Sequence, residues 1–379
     1  MMETITIPYM AGDGIGEDIW NASKEIFEEA LLKASERKKK IEWIPLIAGI
    51  KALENGDKLL PDKTLETVRE HKIAIKGPLT TPVGGGFRSV NVYLRQILDL
   101  YVCMRPVRYF KGLPSPLKAP EKIDVIVFRE NTEDLYKGIE WKEGTEEAKR
   151  LIDFLKEKMS VTLPSDTGLG IKPISKTATT RFTKWVIDYA IQNKRRSITA
   201  VHKGNIMKYT EGAFREWAYE TARGYPDQIG FDENLGKILF NDRIADNMFM
   251  QMILRPDEYD ILLCPNLNGD YLSDACAALI GGLGVAPGAN IGDNIAIFEP
   301  THGSAPKYAG KDMVNPTSLI LSGALMFRYL GFDDAATLIE KAVERTIQDG
   351  IVTYDLARQM KETTAVSSSR FGSEVVKRI

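Results

Sequence analysis

The chain has 379 residues, 44% of them hydrophobic, enough to bury a substantial core and to build more than one lobe. Its 50 basic and 52 acidic residues leave a net charge of -2, which gives no global reason to expect nucleic acid or a membrane surface as partner, so any anion binding is local. Three scattered cysteines and three histidines supply neither a CxxC pair nor a Cys/His zinc site, and with no basic leader at the N-terminus and no apolar run near the ~20 residues of a spanning helix, the chain reads as cytoplasmic.

A β-rich run at 4–8 opens the chain. GlyAspGlyIleGly follows at 12–16; its spacing is GxGxG rather than GxGxxG, so it reads as a tight strand-to-helix turn and not as a dinucleotide fingerprint. Ile15, Ile19, Ile26, Ala30 and Ala34 then recur at helical spacing. Further strands are predicted at 72–76, 101–107, 123–128, 197–202, 259–264 and 294–298. Helices are predicted at 62–70, 89–99, 145–159, 177–193, 210–222, 243–254, 270–280, 317–330 and 333–348. The alternation predicts an α/β fold whose sheet is covered by helices. Residues 160–176, rich in turn formers, break the rhythm as a protruding hairpin or arm, while the glycines and prolines crowded into 281–293 suit a crossing between lobes.

Asp270 and Asp274 stand four apart, so on a helix both carboxylates share one face. A hard divalent cation would relieve their repulsion, although i,i+4 acids are also common on solvated helices. Ser89, Asn91 and Arg95 lie within SerValAsnValTyrLeuArg, and Arg105 and Arg129 end apolar runs. If they converge, three planar forks and two neutral hydrogen-bonding groups at a helix start suit a ligand with several carboxylates. Lys203 and Tyr136 are unremarkable alone; near a metal, each gains a use in proton transfer.

Seven segments in order, GlyAspGlyIleGly (12–16), GlyProLeuThrThrProValGlyGlyGly (77–86), SerValAsnValTyrLeuArg (89–95), ArgGluAsnThrGluAspLeuTyr (129–136), HisLysGlyAsnIleMetLys (202–208), AsnLeuAsnGlyAspTyrLeuSerAsp (266–274) and ThrHisGlySerAlaProLysTyrAlaGly (301–310), resemble the isocitrate/isopropylmalate family of β-decarboxylating dehydrogenases. Within it they are most similar to the NADP-dependent isocitrate dehydrogenases of bacterial type. The resemblance implies a two-lobed α/β subunit, not a classical Rossmann domain, that works as a homodimer with shared active sites. Residues 1–100 and 281–379 would form the large lobe with the cofactor loop, 101–133 and 177–280 the small lobe with the dimer interface, and 134–176 an intersubunit clasp.

The resemblance also implies residue roles. Substrate binding falls to Ser89, Asn91, Arg95, Arg105, Arg129, Tyr136 and Lys203; magnesium or manganese falls to Asp270 and Asp274 of one subunit and Asp246 of the other. Lys203 also arrives from the partner, and Lys203 and Tyr136 take the acid and base roles. The cofactor loop runs from His302 to Asn315, with Thr80 and Gly303 beside it, and Lys307, Tyr308, Tyr354 and Arg358, with Arg255 from the partner, mark NADP rather than NAD. Isopropylmalate and homoisocitrate enzymes are the nearest alternatives, and Ser89 and Asn91 argue against the former because they offer hydrogen bonds where an apolar substituent needs none. A non-catalytic regulatory subunit is a further alternative, expected to lack part of the set that this chain retains.

Overall fold

The computed structural model describes residues 2–81, 89–233, 236–361 and 363–379. The first part runs β1 (Glu3–Met10), α1 (Gly16–Ala34), β2 (Lys39–Pro45), α2 (Ile50–Glu54), α3 (Asp62–His71), β3 (Ile73–Lys76), α4 (Val90–Ile97), β4 (Val102–Arg108) and β5 (Asp124–Glu130). The middle continues with β6 (Glu140–Trp141), α5 (Glu146–Met159), β7 (Leu169–Gly170), α6 (Lys176–Gln192), β8 (Ser197–His202), α7 (Glu211–Arg223), β9 (Ile229–Gly230), β10 (Ile238–Ile244), α8 (Ala245–Leu254), β11 (Ile261–Cys264) and α9 (Asn266–Ala278). The last part holds β12 (Pro287–Ile291), β13 (Ala296–Pro300), α10 (Thr317–Tyr329), α11 (Asp333–Gln348), α12 (Tyr354–Ala357) and α13 (Ser368–Val376).

Eleven strands form one sheet in the order β2-β1-β3-β13-β12-β4-β5-β11-β8-β10-β9. Strands β2, β1, β3 and β13 are mutually parallel, as are β5, β11, β8, β10 and β9. Between these blocks β12 and β4 pair antiparallel to each other and to their outer neighbours. The sheet is therefore an α/β assembly on each side of an antiparallel seam, not a single parallel wind.

Strand alternation sorts the two faces of the sheet. Ile7, Ile75 and Phe298 join one core with Ile19, Ile26 and Phe27 of α1 and Leu319 and Ile320 of α10. Met10, Ala74 and Ile297 face the other way and pack with Leu65 and Val68 of α3 and Leu94 of α4. In α1 the apolar face is joined by Glu17 and Asp18 in its first turn and Lys33 in its last, each of the sign the helix dipole favours at that end.

The sequence reading differs from the structure in definite places. Strands β2, β10 and β12 and helix α13 were not foreseen, and 281–293 contains the seam strand β12 rather than a bare crossing. Helix α9 begins at Asn266, a full turn before the expected start at residue 270. The expected arm at 160–176 contributes the strand β7, which pairs antiparallel with β6 from before the predicted helix; that helix, α5, lies between them and buries only Ala148. No helix is long and apolar enough to cross a membrane among the described residues.

Candidate active site

The register across the seam places a row of polar residues on one face. Glu299 opposes Gly288, Asn290 opposes Cys103, and Cys103 opposes Arg129. Residues directly opposite in a ladder share a face, as do residues two apart along a strand, so Glu299, Asn290, Arg105 and Arg129 line up on the side covered by α4 and α9. Lys76, two residues beyond Ala74, joins them from β3. A sheet interior is an expensive place for so many charges unless they satisfy one another.

They do. Lys76 lies 2.5 Å from Glu299, with side chains 2% and 5% exposed. Arg95 donates to Glu299 at 2.9 Å, Arg105 lies 3.7 Å from it, and Asn290 donates to it at 2.6 Å. Burial alone would raise the Glu299 carboxyl, but Lys76, Arg95 and Arg105 outweigh it and hold the carboxyl well below its ordinary 4.5. Lys76 is itself pushed down, by burial and by the neighbouring arginines, because this cluster holds more positive than negative charge. On α4, Ser89 caps the helix by accepting from the Val92 N–H, and Asn91 accepts from Lys76 at 2.9 Å. Sequence reasoning missed Lys76, Glu299 and Asn290; the available signal was a charge ending each of the buried runs IleAlaIleLys and AlaIlePheGlu.

At the other end of the row Arg129 donates from Nε to Asn266 at 2.7 Å and pairs with Asp270. Tyr136 donates its hydroxyl to Asp270, and the Arg129 guanidinium lies 4.5 Å from the Tyr136 ring centre. Burial first, then the hydrogen bond to Asp270, pushes the Tyr136 phenol up to about 12 despite Arg129. Asp274, one turn on, is open to solvent, yet the wall around it and the Asp270 charge raise its pKa against the pull of Arg105 and Arg129. The repulsion between the two acids is thus present in the geometry. One Arg129 nitrogen, NH2, is buried with no partner among the described residues.

Lys203 and Asp246 pair with each other, at the start of the loop after β8 and the start of α8, with side chains 33% and 70% exposed. The structure does not bring Asp246 into a metal cluster with Asp270 and Asp274 within one chain, for no group of three or more acids, histidines or cysteines suited to a metal occurs among the described residues. The Asp270/Asp274 pair nonetheless fits a divalent cation. It offers two carboxylates one helical turn apart as hard oxygen donors, and the Asp270 charge raises Asp274, a repulsion that a divalent cation would relieve.

The cofactor residues gather around a separate cleft of ≈ 230 Å³ lined by Ile15, His302, Gly303, Tyr308, Asn315 and Tyr354 among others. His302 leaves Nε2 buried without a partner among the described residues, and burial lowers its pKa. Asn315 donates to Asp355 at 3.0 Å, and Asp355 also accepts from Thr353. At the rim, the Tyr308 and Tyr354 rings lie 5.8 Å apart and the Lys307 ammonium sits 4.8 Å from the Tyr308 ring centre. Lys307, then Tyr354, lowers the Tyr308 phenol, while burial and Tyr308 raise that of Tyr354. Arg358 follows α12 on the exposed side, and Arg255 lies elsewhere, 3.7 Å from Glu258. An orphaned ring nitrogen and a cationic, hydroxyl-rich rim fit a phosphorylated dinucleotide.

The glycine turn at 12–16 serves this cleft indirectly. Gly14 has φ +55 and a side chain there would meet the Ser304 carbonyl oxygen at 2.0 Å, while Ile15 donates to that same carbonyl at 2.9 Å. Thr80 reaches Ser304 by its hydroxyl at 2.5 Å and donates its N–H to the buried Asp13 at 2.7 Å. The turn therefore buttresses the loop after β13, as the tight-turn reading expected. Residues 82–86, the ProValGlyGlyGly of the second motif, lie outside the described residues.

Comparison with known proteins places these features in one lineage. The model of the Isocitrate/isopropylmalate dehydrogenase family matches residues 6–375. The Archaeoglobus fulgidus isocitrate dehydrogenase [NADP] is 55% identical over 384 residues, covering 98% of this chain and 92% of that protein. That of Coxiella burnetii is 52% identical over 388 residues, covering 98% and 91%. The crystal structure of isocitrate dehydrogenase from Methylococcus capsulatus superposes with a TM-score of 0.84 at 39% identity, covering 100% of this chain and 99% of that one. The chain belongs to the isocitrate/isopropylmalate dehydrogenase family.

Proposed function

We propose that this protein oxidises isocitrate and releases carbon dioxide, yielding 2-oxoglutarate, with NADP taking up the hydride and magnesium or manganese held by Asp270 and Asp274. One observation carries the choice of substrate. Four cations, Lys76, Arg95, Arg105 and Arg129, face three carboxylates, Glu299, Asp270 and Asp274. The surplus of one positive charge becomes three when a divalent cation binds, which a tricarboxylate trianion cancels.

Arg95, Arg105 and Arg129 bind the substrate carboxylates, and Ser89 and Asn91 receive the γ-carboxylate at the start of α4. The bound cation supplies Lewis acidity toward the reacting oxygen, and the nicotinamide supplies the hydride acceptor. As hydride leaves, the hydroxyl proton goes to Lys203 of a second copy in its neutral amine form, or to Asp270 or a bound water. Tyr136 keeps its own proton across the neutral range, because its phenol titrates only near about 12, and so stands ready as the acid that protonates carbon after carbon dioxide departs. His302, Gly303, Asn315 and Thr80 hold the dinucleotide, and Lys307, Tyr308, Tyr354 and Arg358, with Arg255 from a second copy, select the ribose phosphate of NADP.

The reading includes a homodimer that completes each site with Lys203 and Asp246 of the other copy. It is supported by Met250, Ile253 and Leu254 on α8, 45%, 59% and 65% exposed, beside Tyr271 at 59% on α9. The apolar Phe154 and Met159 of α5, 53% and 59% exposed, support the clasp role of 134–176. Residues 1–100 and 281–379 form the large lobe and 101–133 and 177–280 the small one, divided along the seam between β12 and β4. The free thiols of Cys103, Cys264 and Cys276 suit the cytoplasm.

The test is direct. Purified protein is mixed with manganese, isocitrate, homoisocitrate or 3-isopropylmalate, and NADP or NAD, and reduced nicotinamide is followed by absorbance. Turnover with isocitrate and NADP well above every other combination is expected; preference for 3-isopropylmalate or homoisocitrate overturns the substrate assignment.

A further inference from the structure

We propose that Lys172 is a positioning residue that locks the Tyr136 turn, the Asp270 helix and the Lys203 loop to one another through a buried Asp134–Lys172–Glu211 triad; the proposal rests on the roles given above to those three groups.

Lys172 lies at the end of the arm, two residues after the ribbon strand β7. Its ammonium donates to Asp134 at 2.5 Å and lies 3.0 Å from Glu211, and the three side chains are 13%, 1% and 1% exposed. Among the described residues no other lysine or arginine pairs with either acid. Without Lys172, two carboxylates would stand buried and uncompensated.

What each acid holds with its other bonds gives the triad its purpose. Asp134 opens the turn that carries Tyr136, with φ +68, a conformation that residues other than glycine rarely adopt. Its carboxylate accepts from Leu135 N–H at 2.7 Å and from Leu267 N–H at 3.0 Å, so it fastens the Tyr136 turn to the first turn of α9, three residues before Asp270. Its own N–H donates to Pro173, beside Lys172, at 2.9 Å. Glu211, at the start of α7, accepts from the backbone N–H of Lys203 at 2.5 Å and from the Asn268 side chain on α9 at 2.8 Å. A single ammonium thus joins the segment bearing the proposed acid and the helix bearing two proposed metal ligands to the loop whose lysine is proposed to serve the second copy's site. The seat of Lys203 is further fixed by the Gly204 N–H, which donates to His202 at 3.0 Å while His202 meets Asp242 at 3.0 Å.

None of these bonds touches Ser89, Asn91, Arg95 or Arg105, four of the groups proposed to grip the substrate, and Arg129 meets the α9 helix through Asn266 and Asp270 and not through the triad. Loosening the triad should therefore slow the chemical steps more than it weakens substrate binding. The cofactor cleft, built from the loop after β13 and from α12, is equally remote from it.

The experiment compares the full-length parent with Lys172→Met, Lys172→Arg and Glu211→Gln. It measures kcat, the KM for isocitrate, and NADPH binding by fluorescence titration. For Lys172→Met, kcat should fall at least about tenfold, with KM within about threefold and NADPH affinity and stoichiometry unchanged, because misplacement of reacting groups by an ångström costs up to about 10²-fold. Lys172→Arg, which keeps the charge, should recover most of the loss. A Lys172→Met protein with parental kcat overturns the inference, as does a kcat loss matched by an equal loss of NADPH sites, which marks unfolding alone. Should Lys172→Met not fold, Glu211→Gln carries the same test: it keeps the Asp134 pair, its kcat should fall with KM and NADPH binding held, and a parental kcat overturns the inference. A parent that is inactive on isocitrate and NADP overturns the functional reading and this inference with it; an active parent with fully active variants overturns the inference alone.

Discussion

Lys76 and Glu299 meet at 2.5 Å in the sheet interior, each almost wholly shielded from water, and Glu299 is at the same time the anchor for Arg95 and Arg105. Removing its charge leaves three cations around a neutral amide, so Glu299→Gln is expected to cost about 3–5 kcal/mol of folding stability at neutral pH. Urea denaturation checks this. Because the folded carboxyl titrates well below its ordinary 4.5, its contribution is fully present above about that pH and is lost only as pH falls toward the depressed folded value. The gap between parent and variant should therefore be constant near neutrality and close in acid. A gap that instead widens on acidification contradicts the assigned charge state.

Asp274 illustrates the opposite sign. Its pKa is raised by its enclosing wall and by Asp270, so any favourable contribution exists below its ordinary 3.8 and is lost as pH rises; at pH 7 the ionised group opposes folding of the metal-free chain. Asp274→Asn is expected to raise the Tm of the metal-free protein slightly, to lower manganese affinity at least about tenfold and to abolish most turnover. Thermal scans with and without manganese separate the effects: the parent gains stability from the ion by mass action and the variant does not. Equal gains in both would remove Asp274 from the metal site.

Much of this was legible in the sequence, and the omissions have physical causes. The acids of α9 and the arginines within β4 and β5 were readable because they share a helix face or follow apolar runs. Their true partners were not, because Glu299, Asn290 and Arg105 meet only through the register of β13, β12 and β4, which no local pattern encodes. Strand β12 escaped notice because ProGlyAlaAsnIle lacks the bulky residues of a strand. Gly288 is small for a reason that lies in a different strand: a Cβ there would meet the Arg105 guanidinium at 2.9 Å. Strand β2, at the sheet edge, keeps Lys40 and Glu42 in solvent and so gave no strand signal, and AsnAspArg within β10 broke an apolar run that the sheet nonetheless accommodates. The triad around Lys172 joins residues 134, 172 and 211 across three segments, and sequence order offers no hint of it.

Tyr136→Phe keeps the ring beneath Arg129 and removes only the hydroxyl given to Asp270. The expected result is a kcat lowered by about 10²–10⁴-fold with little change in isocitrate KM, the range for loss of a general acid. Full activity in this variant would assign the proton to another group.

Ser89→Asp separates charge from capping. Aspartate caps helices about as well as serine, so α4 should keep its first turn, now held by a carboxylate accepting from Val92 N–H. The negative charge would face the incoming γ-carboxylate and occupy its donors, and the same holds for phosphorylation at this hydroxyl. Isothermal titration should show isocitrate affinity reduced by about 10²-fold or more with the Tm within about 2 °C of the parent. Unchanged affinity would take Ser89 out of the substrate site.

The proposed seat of coenzyme choice is the rim of the second cleft, where the Lys307 ammonium stands 4.8 Å from the centre of the Tyr308 ring and the Tyr308 and Tyr354 rings lie 5.8 Å apart. NADP carries a phosphate with nearly two negative charges where NAD has a ribose hydroxyl. Lys307 and Arg358 can meet it with charge-assisted hydrogen bonds, and the two phenols can donate to it. The cation beside Tyr308 already lowers that phenol, which makes its hydroxyl a stronger donor toward an anion than an isolated tyrosine. Lys307→Asp combined with Tyr308→Ile removes a cation and a donor, and adds a carboxylate that repels the phosphate while accepting from free ribose hydroxyls. Hydrogen bonds to charged groups are worth about 1.5–3 kcal/mol each, so losing two should reduce kcat/KM with NADP by about 10²–10⁴-fold. The rest of the cleft lining, His302, Gly303 and Asn315 among it, is left as it was, and the loss with NAD should stay below about tenfold. Steady-state kinetics with both coenzymes on the same preparations decide the matter. Equal losses with NADP and NAD would mean that Lys307 and Tyr308 shape the loop without reading the phosphate, while the proposed isocitrate chemistry would stand unaffected.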